Sequence, residues 1–315
     1  MTELASPVEE AAGDRIVGPT VALVLGAGGA RGLAHIGVLE VLGERGYQVS
    51  ALVGSSMGAL VGGIFAAGHL QAYRDWSLAL DRGNVIRLVD FVFGHPGLIK
   101  GERVISALRE LVGDHLIEDL PIPYTAVATD LGSQRQVWLS RGKLFDAIRA
   151  SIAIPMLLTP HRVHGRDLVD GGLLAPMPMA ATRQAFADLV VAVDVNARPR
   201  HARHEKPVTE DDAHPDPPAE GMRARVAGLF EALVDWRAKP EETGPPAPGL
   251  VSQMTRSLDA MQSQLSRVQL AMDPPDILVK VPRDSCEFHE YWRAAHMLEI
   301  GRQAATRAID AWERR

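Results

Sequence analysis

The chain has 315 residues and a mass of 34.0 kDa, enough for one large or two ordinary domains and for a hydrophobic core that needs no covalent staples. Hydrophobic residues make up 46% and charged residues 23%, which excludes a wholly disordered chain, and one cysteine, Cys286, excludes a disulfide framework and a thiolate metal cluster. The formal net charge of −6 argues against a nucleic-acid partner.

Residues 1–18 read as a loose polar tail. The first fifteen carry four acids and lack a basic start followed by an apolar run, so no secretory signal is expected. Val21–Leu25 (VALVL) is a short apolar run suited to a strand buried on both faces. A glycine-rich turn follows, then helical spacing over Leu33–Arg45. Ala51–Val53 predicts a second strand, and Ala59–Ala67 a second helix after a glycine-flanked turn. This alternation predicts a βαβ unit and a mainly parallel sheet. Residues 46–73 contain no charged side chain, and Gly54, Gly58 and Gly62 recur at four-residue spacing, a pattern shared with membrane spans. Five glycines between 51 and 73, and no flanking Lys or Arg cluster, fit a buried strand, a sharp turn and a buried helix better.

Residues 70–120 read as mostly helical with Gly and Pro breaks. Tyr124–Thr129 and Gln136–Leu139 are strand-like, Phe145–Ile152 is a short helix, and Asp188–Val195 is another buried strand. The core sheet is expected to reach residue 196. Residues 197–220 are charged and Pro-rich, which predicts a mobile surface excursion. An amphipathic helix pattern over Met222–Trp236 and a second linker at 240–249 complete an insert spanning 197–249. Leu250–Met272 is a long helix pattern, Ile277–Val281 a strand, and Tyr291–Trp312 a closing helix. The domain reading is a tail at 1–18, a catalytic domain at 19–196, the insert, and a 250–315 segment completing the same domain.

The strongest local signal is Gly54-Ser55-Ser56-Met57-Gly58, between a predicted strand and a predicted helix. That context gives Gly-x-Ser-x-Gly its meaning. The tight turn exposes the central serine at a helix N-terminus, where the dipole favours an alkoxide and a developing oxyanion. The second signal is Gly26-Ala27-Gly28-Gly29-Ala30-Arg31-Gly32. It fails as a dinucleotide fingerprint, because the sixth position is Arg31, and no Gly-Lys-Ser/Thr makes it a Walker loop. A glycine loop opening a helix still offers free N–H groups to an anion. Beside a serine nucleophile that anion is a tetrahedral oxyanion, with Gly28, Gly29 and Ala30 as candidate donors. Arg31 has two readings, neutralising a phosphate or holding the loop. The third signal is Asp170-Gly171-Gly172, which alone reads as a hairpin turn.

A serine nucleophile needs a base. An α/β-hydrolase places its histidine late in the order Ser…Asp…His, and here only His289 and His296 come late. His201, His204 and His214 fall in the charged stretch. His35, just inside the first helix, reads as a packing residue. No histidine has a motif of its own.

Taken in order, the glycine loop at 26–32, Gly54–Gly58 and Asp170–Gly172 resemble the bacterial patatin-like phospholipase family. The likeness spans about residues 20–196 and includes Leu33–Leu39 (LAHIGVL), Gly97–Gly101 (GLIKG), Ser151–Pro155 (SIAIP) and Val191–Val195 (VAVDV), with a later match at Pro275–Val279. The resemblance implies a three-layer α/β/α sandwich around a mainly parallel sheet. It also implies a Ser–Asp dyad, with Ser56 as nucleophile, Asp170 as base and the glycine loop as oxyanion hole. Gly26, Arg31, Gly32, Gly54, Met57, Gly58, Gly171 and Gly172 are the supporting motif positions. The chemistry so implied is two-step acyl transfer to water, without metal or cofactor. One departure stands out: the family's run of three glycines begins here with Ala27, whose methyl would narrow the site or oppose a positive φ.

An unperturbed aspartate is a weak base, so partial burial of Asp170 is expected to raise its pKa. The 222–236 helix has three readings: packing on the core, lying on a membrane, or covering the site. The 250–272 helix either covers the sheet or forms a homo-oligomer contact. The implied substrate is a lipid or other ester. An acyl hydrolase, a lipid-recognition protein without turnover and an acyltransferase all remain open. The expected location is cytoplasmic, with peripheral membrane attachment open.

Overall fold

The computed structural model describes residues 18–90, 99–183, 185–199 and 250–315. Eight strands form one sheet: β1 (Thr20–Leu25), β2 (Gln48–Ser55), β3 (Tyr124–Asp130), β4 (Arg135–Leu139), β5 (His161–Val163), β6 (Arg166–Asp170), β7 (Leu189–Ala197) and β8 (Ile277–Pro282). Their order is β5-β6-β3-β2-β1-β7-β8, with β4 also paired to β3. The strands β3, β2, β1, β7 and β8 run parallel, as the alternation of strands and helices requires. β4, β5 and β6 make antiparallel pairs at the margin.

The β5–β6 hairpin was not legible in the sequence. Its strands are short, and its turn is a two-residue link of His164 and Gly165, both at positive φ. Such a turn matches the twist of a hairpin.

Apolar residues alternate along the central strands. Val21, Leu23 and Leu25 share one large core with residues of α1 (Ala34–Glu44), α2 (Met57–Ala66), α5 (Glu102–Val112), α6 (Leu144–Ser151) and α8 (Ala294–Glu313). Full burial of each Leu or Val stabilises the fold by roughly 1.5–3 kcal/mol. On the opposite face Val24 and Ala192 meet Met177 and Met179, while Val53 and Val127 meet Ala175. That layer is thinner: the irregular segment 171–182 and α7 (Leu250–Met272), whose Leu270 packs on it. The expected α/β/α sandwich is the fold found.

Helices α3 (Leu70–Leu78), α4 (Arg82–Leu88) and α5 account for the helical reading of 70–120. At the start of α5, the Asp90 carboxylate accepts the N–H groups of Gly101 and Glu102 at 2.7 and 2.9 Å. The first helix is delayed to Ala34 by a 3-10 turn over Gly29–Leu33, and the last to Ala294 by one over Tyr291–Arg293. From residue 200 to 249 the charged insert, including the helix expected at 222–236, lies outside the described residues, as do 1–17 of the tail. Among the described residues no helix is long and apolar enough to cross a membrane.

Candidate active site

Strands β1 and β2 end side by side, with Leu25 opposite Gly54. Each then turns into a helical segment, so the glycine loop and the Gly-x-Ser-x-Gly turn are neighbours at one edge of the sheet. Ser56 sits at the apex of the second turn with φ 55° and ψ −123°, a region L-residues rarely adopt. Gly58 is in the first turn of α2, where a Cβ would come within 2.1 Å of the Leu25 carbonyl oxygen. The tight approach of α2 to β1 therefore needs glycine there. Gly54 lies near the end of β2, and Met57 starts α2 with its side chain against Gly32.

Asp170 ends β6 and is 2% exposed; Ser56 is 4% exposed. Ser56 Oγ donates to Asp170 Oδ2 at 2.5 Å. The other carboxylate oxygen, Oδ1, accepts the Gly172 N–H at 2.7 Å, and the Asp170 N–H donates to Ala153 O at 2.9 Å. Gly171 and Gly172 form the 3-10 turn that brings the Gly172 N–H round. Burial pushes the Asp170 pKa up to about 7, against the opposing pull of the hydrogen bonds from Ser56 and Gly172. A carboxylate with that pKa can take a hydroxyl proton near neutrality.

Sequence reasoning gave Ser151 no role of its own. It ends α6, is fully buried, and its hydroxyl accepts the Ser56 N–H at 2.9 Å while donating to Val127 O at 2.6 Å. The nucleophile turn is thus tied to β3. The signal was the SIAIP stretch, which carried the family likeness but no stated chemistry.

In the glycine loop Gly29 takes φ 56°, and a Cβ there would meet the Phe288 ring at 2.4 Å. The Ala27 N–H donates to Pro176 O at 2.9 Å. Ala27 is not among the residues at positive φ, so its methyl meets no backbone penalty; it lines the cleft beside Gly28. The third expected donor needs correction. The Ala30 N–H is engaged by Phe288 O at 2.9 Å, because the loop before α8 packs on the glycine turn. Among the described residues, the N–H groups of Gly28 and Gly29 have no acceptor in the chain.

Arg31 is 4% exposed and holds the loop: Nε donates to Gly28 O at 3.1 Å and Nη2 reaches Asp259 Oδ1 at 3.2 Å. His35 is buried and donates from Nε2 to Gly26 O at 2.9 Å, since a carbonyl can only accept. Burial lowers its pKa to about 4, so the ring is neutral and packs as expected.

Two cavities meet at Ser56. A cleft of about 540 Å³ is lined by Ala27, Gly28, Asp170, the 154–157 loop, Phe288, and Leu258 and Gln262 of α7. A larger one, about 960 Å³, runs from Gly29 and Ser56 between α2, α3, α4 and α5, past Leu60, Trp76, Leu80, Val104 and Leu108. No charged side chain lines the larger cavity among the described residues, and no histidine lines either one. Nor do the described residues hold a cluster of three or more His, Cys, Asp or Glu side chains able to bind a metal.

An α/β fold with a buried serine–aspartate pair at a strand-to-helix turn defines a class, and comparison with known proteins places the chain within it. The family model for the patatin-like phospholipase matches residues 23–183. An uncharacterised NTE family protein of Mycobacterium tuberculosis is 41% identical over 94% of this chain and 92% of its own length. A lysophospholipase of Emericella nidulans is 28% identical over 91% of this chain, though only 18% of that longer protein is covered. Patatin-like phospholipase domain-containing protein 7 of Rattus norvegicus is 32% identical over 58% of this chain and 14% of its own length. The chain belongs to the patatin-like phospholipase family.

Proposed function

We propose that this protein is a serine acyl hydrolase that releases fatty acid from lipid esters of the lysophospholipid, phospholipid or simple carboxylester type. The observation that carries this reading is the 2.5 Å hydrogen bond from Ser56 Oγ to a buried carboxylate, placed where a cavity opens whose described lining carries no charge. The larger cavity suits an acyl chain, and the smaller cleft, roofed by α7, suits the alcohol portion. The ester carbonyl then lies at their junction, over Ser56.

In this reading Asp170 takes the Ser56 proton as Oγ attacks the carbonyl carbon. The carbonyl oxygen becomes an oxyanion facing Gly28 and Gly29 N–H. The intermediate collapses, the C–O bond to the alcohol breaks, and Asp170 returns the proton to the leaving oxygen. Water, deprotonated by the same carboxylate, attacks the acyl-Ser56 ester; the acyl–Oγ bond breaks, Asp170 returns the proton to Ser56 Oγ, and the fatty acid leaves. The family's lysophospholipase of Emericella nidulans supports a lipid substrate.

The test is fatty-acid release from short esters, lysophospholipids and diacyl phospholipids, with wild type beside Ser56→Ala. Turnover by wild type, reduced by a factor on the order of 10³ or more in the variant, is the expected result. Absence of turnover on every ester, with vesicles supplied, overturns the reading in favour of lipid recognition without hydrolysis.

A further inference from the structure

Across a trans peptide the carbonyl and the following N–H point in opposite directions. Whatever grips one therefore aims the other, and the chain has no cis peptide bond among its described residues. Three successive carbonyls of the glycine loop are each gripped by a buried side chain. Gly26 O accepts from His35 Nε2 at 2.9 Å, Ala27 O from Asn196 Nδ2 at 2.6 Å, and Gly28 O from Arg31 Nε at 3.1 Å. The first grip faces an N–H that donates to Pro176 O. The other two face the N–H groups of Gly28 and Gly29, the pair with no acceptor in the chain among the described residues.

Gly28 and Ser56 line the catalytic cleft, whereas Arg31 and Asn196 line an adjoining open polar groove, with Asp259 and Phe288 common to both. Asn196 is fixed in turn, since its own N–H donates to Asp194 Oδ1 at 2.9 Å. Arg31 is fixed by Asp259 and by the Arg283 carbonyl.

We propose that Asn196 and Arg31 are positioning residues that aim the Gly28 and Gly29 N–H groups at the oxyanion formed on Ser56, without touching substrate. This assigns Asn196, near the end of β7, a role in the reaction, and it gives Arg31 the loop-holding role over phosphate neutralisation. The inference rests on the acyl-hydrolase reading above. Two peptides held before the reaction need no reorganisation when charge develops.

The experiment replaces Asn196 with Leu, similar in size but without a donor. It measures hydrolysis of a p-nitrophenyl ester of a short fatty acid and of its thionoester, in which sulfur replaces the carbonyl oxygen. Sulfur accepts hydrogen bonds weakly, so the rate ratio of the two substrates reports on the oxyanion donors. The expected result is a kcat lower by about 10- to 100-fold, a KM within about twofold of wild type, and a smaller oxoester-to-thionoester ratio. Asn196→Ala, which is smaller, has no side-chain donor and introduces no clash, serves if the leucine variant does not fold. Unchanged kcat, or a lower kcat with the wild-type ratio, overturns the role of Asn196 while leaving the hydrolase reading intact. Wild-type protein inert towards these esters and also towards the lysophospholipids and phospholipids of the test above overturns both.

Discussion

The two turns that meet at the candidate site are held in different ways. The serine turn carries most of its geometry in itself. Ser56 takes a strained φ, Gly58 lets α2 close on β1, and one hydroxyl from Ser151 ties the apex to β3. The glycine loop carries less of its own. Its carbonyls are held by the side chains of His35, Asn196 and Arg31, and its Ala30 N–H by Phe288 O. Strain within a short turn and support from partner residues are two solutions to the same need for rigidity. They differ in what damages them: the first is sensitive at its apex, the second at positions as distant in the chain as Asn196 and Phe288.

The largest expected effect comes from the group that both turns serve. Asp170→Asn keeps the shape but cannot take the Ser56 proton, and kcat is expected to fall by about 10³- to 10⁴-fold. Stability should move the other way. The folded pKa of about 7 lies above the unfolded carboxylate value, so the native state binds the extra proton and wild-type stability declines as pH rises between those two values. The asparagine variant, with no proton to lose, shows no such decline. In urea melts that variant should be the more stable protein at pH 8, by a few kcal/mol, with the gap closing below about pH 4. An equal gap at both pH values would contradict the burial argument. The wild-type kcat/KM should fall on the acid side of about pH 7, where Asp170 is protonated.

Gly29→Ala tests the glycine loop at its one strained point. A methyl at φ 56° would strike the Phe288 ring, so the loop and the stretch before α8 must part. A kcat lower by roughly 10²-fold is expected, with a stability loss of about 1–3 kcal/mol. An active, equally stable variant would show that the loop does not depend on the Phe288 contact.

Ser151→Ala tests the serine turn at the backbone support it draws from α6. It leaves the Ser56 N–H buried without an acceptor and should cost about 1–3 kcal/mol in denaturant melts. Because the strained apex is otherwise self-held, activity should drop by only about tenfold. A loss as deep as that of Asp170→Asn would place the control of the serine turn at α6 and erase the contrast.

That contrast also explains what the sequence made legible. The strand–turn–helix context of Gly54–Gly58 is written in adjacent residues, so the serine and its turn could be read directly. The parallel core followed from short apolar runs alternating with helical spacing. Asp170 as partner of Ser56 had no local signature beyond a turn, and it came only with the family resemblance. Asn196 was hidden because its bond to Ala27 joins residues 169 positions apart. A still greater distance in sequence hid the partner of Ala30, whose N–H is taken by the Phe288 carbonyl just before the last helix. The β5–β6 hairpin escaped because its strands are only three and five residues long.

The strand order has a consequence for how the molecule is made. β1 lies in mid-sheet, yet its neighbour β7 begins only at Leu189, and the bond from Thr20 to Asp188 spans 168 positions. A ribosome releases β1 long before that neighbour exists. Its open apolar edge is then a template for pairing with other chains, and sheets of such non-local contacts form slowly. Asn196 and Phe288 emerge later still. Through most of its synthesis the nascent chain carries Ser56 without the surroundings that complete the site.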